Sequence, residues 1–463
     1  MKIAVISGRQ PESREPRIGH LMLASKTEIP KGVRVYIPPQ AAFKREIESK
    51  LLSVFHRWGF QEIVTPTFEY YDVLALGMGE DFRDRTFKLT EQATGRLLVL
   101  RPDITPQIAR VAATILKDYP KPLRFCYNSN VFRYVEPQVG RHREVYQAGV
   151  ELIGLDLPEA DVEMIAIAVE SLMAVGLSDF KIAVSQVEFL RGLLEQLRLP
   201  KDGEKPVQLA LHKKDSSALD ALMEAFQLDH RARAMLLALP NLFGGEEVIT
   251  QAGYLVNNPR SERALSNLQT VYEMLKVYGL ESFVLLDLSE IRGFSGDLDY
   301  YTGIVFEGFT ANLGYEICGG GRYDHLIGRF GEECASTGFA IDIEKLQMAL
   351  ERQGALQPRT HVDFLIVDFK PDKQEALRIA KELRMRGYRV ARDIIRRDLV
   401  GSLSYAQRMG IARGIILGSN GLRDHEALLK DLAEGWERVV AVSELIPVIE
   451  SLGERPTSAA WER

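Results

Sequence analysis

Two acids and an amide, Asp103, Glu151 and Gln147, stand in the stretch from Arg101 to Gly154, together with Thr105 and the arginines Arg133, Arg141 and Arg143. Two acidic groups facing one cavity repel each other unless a cation or several donors arrive, so a matching ligand carries an ammonium or N–H groups. A free amino acid has that chemistry. Tyr300 and Tyr301, from a later strand-like stretch, are candidates to join them. The three arginines could meet phosphate or carboxylate bidentately, and ion pairs with Glu136 and Glu144 account for them equally well. The sequence holds no nucleophile elbow and no phosphate-cradling P-loop; its eight histidines include no HExxH or paired spacing, and His142 and His325 read as surface or loop residues.

These side chains need a scaffold, and the local pattern supplies one. Leu97 to Leu100 reads as a buried strand broken by Pro102; Thr105 is placed to cap a helix whose first position is Pro106. Ile108, Val111, Ala112 and Ile115 follow at helical spacing. Beyond Pro120 and Pro122 come a strand to Arg133, a polar loop through Gly140 and a second strand from about Arg143. In that strand Tyr146, Ala148, Val150 and Leu152 alternate with Gln147, Gly149 and Glu151, which puts the polar residues on one face. A cavity wall and an ordinary half-solvated sheet both fit this alternation.

The rest of the chain falls into recognisable blocks. Residues 1–32 are rich in breakers and charge, and read as an extension without an assigned role. An amphipathic helix is expected from Pro38 to Trp58, stopped by Gly59, then a short strand to Pro66 and a hairpin around Thr94-Gly95. Between about 191 and 282 the pattern is helical, as for an inserted subdomain. DLDYYTGIVFEGF reads as one strand in which Tyr300 and Tyr301 alternate, and the three glycines Gly319 to Gly321 mark either a close backbone approach or a bend. From Val362 the order strand, helix, strand, helix, strand predicts an α/β domain with a parallel sheet, covering 361–463 after a linker. Its arginine-rich stretch from Arg378 to Arg413 suits a solvated helix face better than nucleic acid.

A length of 463 residues exceeds one compact core. The net charge of -6 argues against nonspecific nucleic-acid binding by the whole surface. Three cysteines with no CxxC pair suggest neither a disulfide framework nor a zinc cluster, and fit a reducing compartment. No signal peptide or long apolar segment is legible, so a soluble, cytoplasmic protein without membrane contact is expected.

RPDITP, VFRY, GRHRE, QAGVELIG, LDYYTGIVFE and GGGRYD together make the chain, from about 33 to 350, resemble the class II aminoacyl-tRNA synthetases and their histidyl branch. The last domain is similar to that branch's anticodon-binding domain. The resemblance implies an antiparallel sheet flanked by helices (an α/β, α+β core), a homodimer, and a histidine pocket formed by Asp103, Thr105, Gln147, Glu151, Tyr300 and Tyr301. The chain departs from the synthetases where they handle ATP. Gly296 stands where the family has arginine, Val135 replaces the motif 2 glutamate with Glu136 displaced by one, and Lys345 takes the place of the phosphate-clamping arginine. Losing one preorganised transition-state group costs about 3–4 kcal/mol, so amino-acid activation is not expected. A synthetase fold with its amino-acid pocket kept and its ATP site lost resembles the regulatory subunits of ATP phosphoribosyltransferase. That resemblance implies a noncatalytic role in histidine biosynthesis beside a short catalytic subunit in a hetero-oligomer, with histidine as effector, no cofactor or metal, and tRNA an unlikely partner. The alternative is a histidyl-tRNA synthetase of unusual sequence, which the C-terminal domain and Arg133 would suit.

Overall fold

The computed structural model describes residues 27–79, 83–135, 142–200, 203–213, 215–289, 300–311, 313–354, 362–395, 397–419 and 421–452. The chain divides into two compact units, Met1–Val35 with Glu46–Ala355 and Tyr36–Arg45 with Leu356–Arg463.

The first unit holds twelve strands among its described residues: β1 Gln61–Glu62, β2 Phe68–Tyr70, β3 Lys88–Thr90, β4 Leu97–Leu100, β5 Leu123–Phe132, β6 Glu144–Ile153, β7 Lys181–Gln186, β8 Phe243–Gly244, β9 Val284–Asp287, β10 Ile304–Phe309, β11 Cys318–Arg322 and β12 Ser336–Asp342. Nine of them form one sheet in the order β1-β5-β6-β12-β11-β10-β7-β9-β8. Its centre, from β5 to β7, is antiparallel throughout, while β1 joins β5 and β9 joins β7 in parallel. A small sheet β2-β4-β3 sits apart and leads the chain into Arg101.

Alternation sorts the central strands into two faces. Val150 and Phe339 pair across β6 and β12, and Phe339 meets Phe306 and the helical Phe55 at ring-centroid distances of 5.7 and 6.3 Å. Phe55 belongs to helix Gln40–Arg57, whose Ile47, Leu51 and Val54 are also buried. It ends before Gly59, where φ of +80° lets the chain turn back. The opposite face carries Gln147, Glu151 and Gly338, and against it pack helix Thr105–Ala113 and a cluster containing Tyr127, Tyr300, Tyr301 and Tyr323. This second face holds the site.

Several sequence expectations are adjusted, each for a physical reason. Helix Thr105–Ala113 is entered through Ile104, whose N–H is taken by Asp103 Oδ1 at 2.9 Å, so Thr105 lies inside the helix and its hydroxyl is released for another partner. β10 begins only at Ile304; Tyr300 and Tyr301 precede it, and both join the same buried cluster instead of alternating across a strand. The triglycine is a close-approach device. A Cβ on Gly320 would stand 2.1 Å from the Gly338 carbonyl and 2.4 Å from Phe339 Cβ. The helical stretch begins at Val187, and four of its helices start at side-chain caps supplied by Gln186, Asp215, Asp229 and Asn258. It is interrupted by β8, which pairs with β9.

In the second unit β13 Phe364–Asp368 lies between β14 Val390–Arg392 and β15 Arg413–Leu417, both parallel to it, followed by β16 Glu426–Asp431 and β17 Glu437–Ala441. The three strands read from the sequence are thus parallel as expected, and two further strands, β16 and β17, add antiparallel pairings that make the sheet mixed. The segment between β15 and β16 is too short for a crossover, which takes a dozen or more residues. Helix Gln374–Met385 packs on one face of the sheet and helix Leu399–Arg408 on the other. Most of the arginines of this stretch serve the fold: Arg384 donates to the Val390 carbonyl, Arg386 pairs with Glu382 and Glu450, Arg397 with Asp393, and Arg413 with Asp431. Arg396 lies outside the described residues.

Candidate functional site

A cavity of about 160 Å³ opens on the second face of the large sheet, lined by Asp103, Thr105, Arg133, Gln147, Tyr300 and Tyr301, with a floor from β11 and β12. A dry engineered cavity of about 150 Å³ takes a benzene ring, so this volume suits one small planar group and its substituents.

The acid end is built by the chain break at Pro102. Asp103 is turned inward, its Oδ2 3.4 Å from the Tyr300 hydroxyl. Burial pushes its pKa above the ordinary carboxylate value; Arg133, the backbone N–H groups of Ile104 and Thr105, and Tyr300 oppose that rise. Arg133 donates from Nε to the Pro102 carbonyl at 2.9 Å, which fixes its guanidinium beside the same turn. Thr105, freed from capping, donates to Glu151 Oε1 at 2.6 Å, and Tyr323 donates to Glu151 Oε2. Glu151 is 1% exposed and lies beneath the cavity wall, touching the interior through Thr105 and Tyr323. Burial raises its pKa to about 8 against the pull of those two hydrogen bonds, with Asp103 adding to the rise. Room for the carboxylate exists only because residue 338 is glycine: a Cβ there would fall 1.9 Å from Glu151 Oε2.

Gln147 Oε1 is buried without a hydrogen-bond partner in the described structure. An orphaned buried acceptor is costly unless a ligand donor reaches it. Tyr300 and Tyr301 stack obliquely, centroids 5.0 Å apart, and Tyr300 meets Tyr323 edge-on at 5.9 Å, giving the cavity an aromatic wall.

The other end is charged and internally paired. Lys345 Nζ lies 2.8 Å from Glu316 Oε1 and 3.8 Å from Asp342 Oδ2. Asp342 caps the helix Ile343–Arg352 by accepting from the N–H groups of Glu344 and Lys345, and burial raises its pKa to about 6. Among the described lining residues, five carboxylates (Asp103, Asp287, Glu307, Glu316 and Asp342) face two cations (Arg133 and Lys345). Such a wall favours an ammonium-bearing ligand and repels a polyphosphate.

Of the residues singled out in the sequence, Asp103, Thr105, Gln147, Tyr300, Tyr301 and Arg133 therefore meet at one cavity, with Glu151 directly behind. Arg143 does not line it; its Nε donates to the Val135 carbonyl and its guanidinium stacks on Tyr134 at 4.9 Å. Arg141, Glu136 and Gly296 lie outside the described residues. Glu144 accepts from Asn130 Nδ2. Sequence reasoning missed Tyr323, Glu307 and Glu316. Tyr323 stands two residues after the triglycine, inside the GGGRYD motif, where the close approach read at the glycines was its local signal. Among the described residues no group of three His, Cys, Asp or Glu is placed to hold a metal, and no helix is long and apolar enough to cross a membrane.

A family model described as histidyl-tRNA synthetase matches residues 32–346. The chain is 42% identical over 421 residues to an ATP phosphoribosyltransferase regulatory subunit of Syntrophotalea carbinolica, covering 90% of this chain and 96% of that protein. It is 43% identical over 428 residues to one of Geobacter metallireducens, covering 92% and 98%. Among solved structures, one described as an ATP phosphoribosyltransferase regulatory subunit/histidyl-tRNA synthetase from Bacillus halodurans superposes with a TM-score of 0.74 at 31% identity, over 85% of this chain and 97% of that one. The histidyl-tRNA synthetase of a Nostoc species shares the fold at 22% identity, TM-score 0.79, over 92% and 99%.

Proposed function

The chain belongs to the histidyl-tRNA synthetase family, in its branch of ATP phosphoribosyltransferase regulatory subunits, and from that premise we propose that it regulates a separate catalytic subunit through histidine held in the cavity. The chain is a noncatalytic regulatory subunit of ATP phosphoribosyltransferase and acts in histidine biosynthesis. In this reading the short catalytic subunit is its partner, and the chain works as a homodimer within a hetero-oligomer in the cytoplasm.

The observation that carries the proposal is the orphaned acceptor of Gln147 beside Asp103 in a carboxylate-rich cavity. Histidine would place its ammonium among the acids, an imidazole N–H on Gln147 and its carboxylate near Arg133. The same charge balance disfavours ATP, and Lys345, which resembles the synthetases' phosphate clamp in position, is already paired with Glu316. Feedback follows when histidine binds the inhibited and active assemblies with different affinity.

The test mixes the purified chain with a short catalytic ATP phosphoribosyltransferase. Activity should require both proteins, histidine should inhibit the mixture, and Gln147→Ala should weaken inhibition about tenfold or more while assembly persists, the effect of one ligand hydrogen bond. Inhibition unchanged in that variant would place the feedback site elsewhere. Histidine-dependent ATP–pyrophosphate exchange by the chain alone would favour the alternative, a working synthetase.

A further inference from the structure

The second unit contains a crevice of about 650 Å³ at the carboxyl ends of β13 and β14. From β13 the chain goes to helix Gln374–Met385 on one face of the sheet, and from β14 to helix Leu399–Arg408 on the other. Adjacent strands whose connections leave to opposite faces open a gap between their ends, and in α/β sheets that gap is where ligands sit.

Three buried polar atoms line this crevice with no hydrogen-bond partner among the described residues: Asp368 Oδ2, Asp393 Oδ2 and Ser402 Oγ. The side chains of Asp368 and Asp393 are 5% and 2% exposed, and Ser402 is 1% exposed. Asp368 Oδ2 is 3.5 Å from Lys373 Nζ, an ion-pair distance without a hydrogen bond. Asp393 spends only its other oxygen, on Arg397 at 2.8 Å. Orphaned acceptors at this depth ask for ligand O–H or N–H donors. Around them stand Arg392, at the end of β14, and Arg397, while the half-open Phe369 and the exposed Ile395 supply an apolar rim. Two carboxylate oxygens and a hydroxyl inside, guanidinium groups beside them and an apolar edge outside match vicinal hydroxyls, an anionic group and a flat ring in one molecule.

We infer that this crevice binds a ribonucleotide, with the ribose hydroxyls donating to Asp368 and Asp393, the phosphate on Arg392, and the base against Phe369. A ribonucleotide reaches such a site free in solution or as part of an RNA strand, and the site has room for the free molecule. The inference is independent of the histidine cavity, which lies in the other unit.

Calorimetric titration of the full chain with adenosine 5′-monophosphate tests it, beside adenosine, the 2′-deoxynucleotide and a short oligoribonucleotide. The monophosphate should bind saturably, adenosine and the 2′-deoxy compound about tenfold more weakly, each lacking one charge-assisted contact. Arg392→Ala should remove the preference for the monophosphate over adenosine. Ser402→Ala, which deletes only a hydroxyl, keeps the fold and should reduce affinity. Absence of saturable monophosphate binding, equal affinity for adenosine, or binding of the oligonucleotide alone would each overturn the inference.

Discussion

Glu151 is buried in the large sheet, and the loss of water around its carboxyl outweighs the two hydroxyl groups that donate to it. Its carboxyl is raised from 4.5 to about 8, so the folded state prefers it neutral. The sign follows from linkage: the stabilisation is fully present below about pH 4.5 and is lost as the pH climbs through about 8. Glu151→Gln, which is neutral at every pH, should flatten the fall in thermal midpoint across that window; parallel profiles for the two proteins would mean an ordinary carboxylate. Gly338→Ala forces a methyl into contact with Glu151 Oε2 and the Val150 carbonyl, 1.9 and 2.6 Å from the new carbon. Overpacking of this kind costs about 1–3 kcal/mol, and a urea midpoint unchanged by the substitution would refute the tight fit. Gln147 and Glu151 were legible in the sequence because polar residues on the small-residue face of an apolar strand are chemically conspicuous, and Asp103 because it follows the strand-breaking Pro102 just ahead of a helix start. Glu307 and Glu316 were not, since exposed acids and cavity acids look alike until neighbouring strands are placed.

At the scale of elements, the cap of helix Ile343–Arg352 ties structure to site. Asp342 holds the N–H groups of Glu344 and Lys345, and its carboxylate also faces Lys345 Nζ. Asp342→Ala should lower stability by about 1 kcal/mol, as for other lost N-caps, measured by chemical denaturation; a loss indistinguishable from zero would show that water replaces the cap fully. Strand β6 and the helices of residues 187–277 were readable because period-2 and period-3.6 patterns are local. The position of Tyr300 and Tyr301 ahead of β10 was not, because Tyr300 packs on Asp103 and Tyr323, and Tyr301 on Tyr300, in contacts that the alternating sequence does not report. The mixed sheet of the second unit was hidden for a related reason: strand direction depends on the length of the connection after β15, which apolar patterning does not report.

For the whole molecule, each unit carries its own core, and in the second unit hydrophobic clusters cover both faces of the five-stranded sheet. A fragment spanning 362–452 should therefore unfold in a single cooperative melt by circular dichroism; a gradual, featureless transition would mean that this unit depends on the rest of the chain. The pairing of Lys345 with Glu316 bears on the history of the whole protein. An arginine returned to position 345 would find a carboxylate 2.8 Å from the cation it replaces, ready to take its fork before any nucleotide arrives. Lys345→Arg alone should thus leave ATP–pyrophosphate exchange at background. Because that pair absorbs the first step back toward a phosphate clamp, it acts as a ratchet that keeps the chain in its noncatalytic regulatory role.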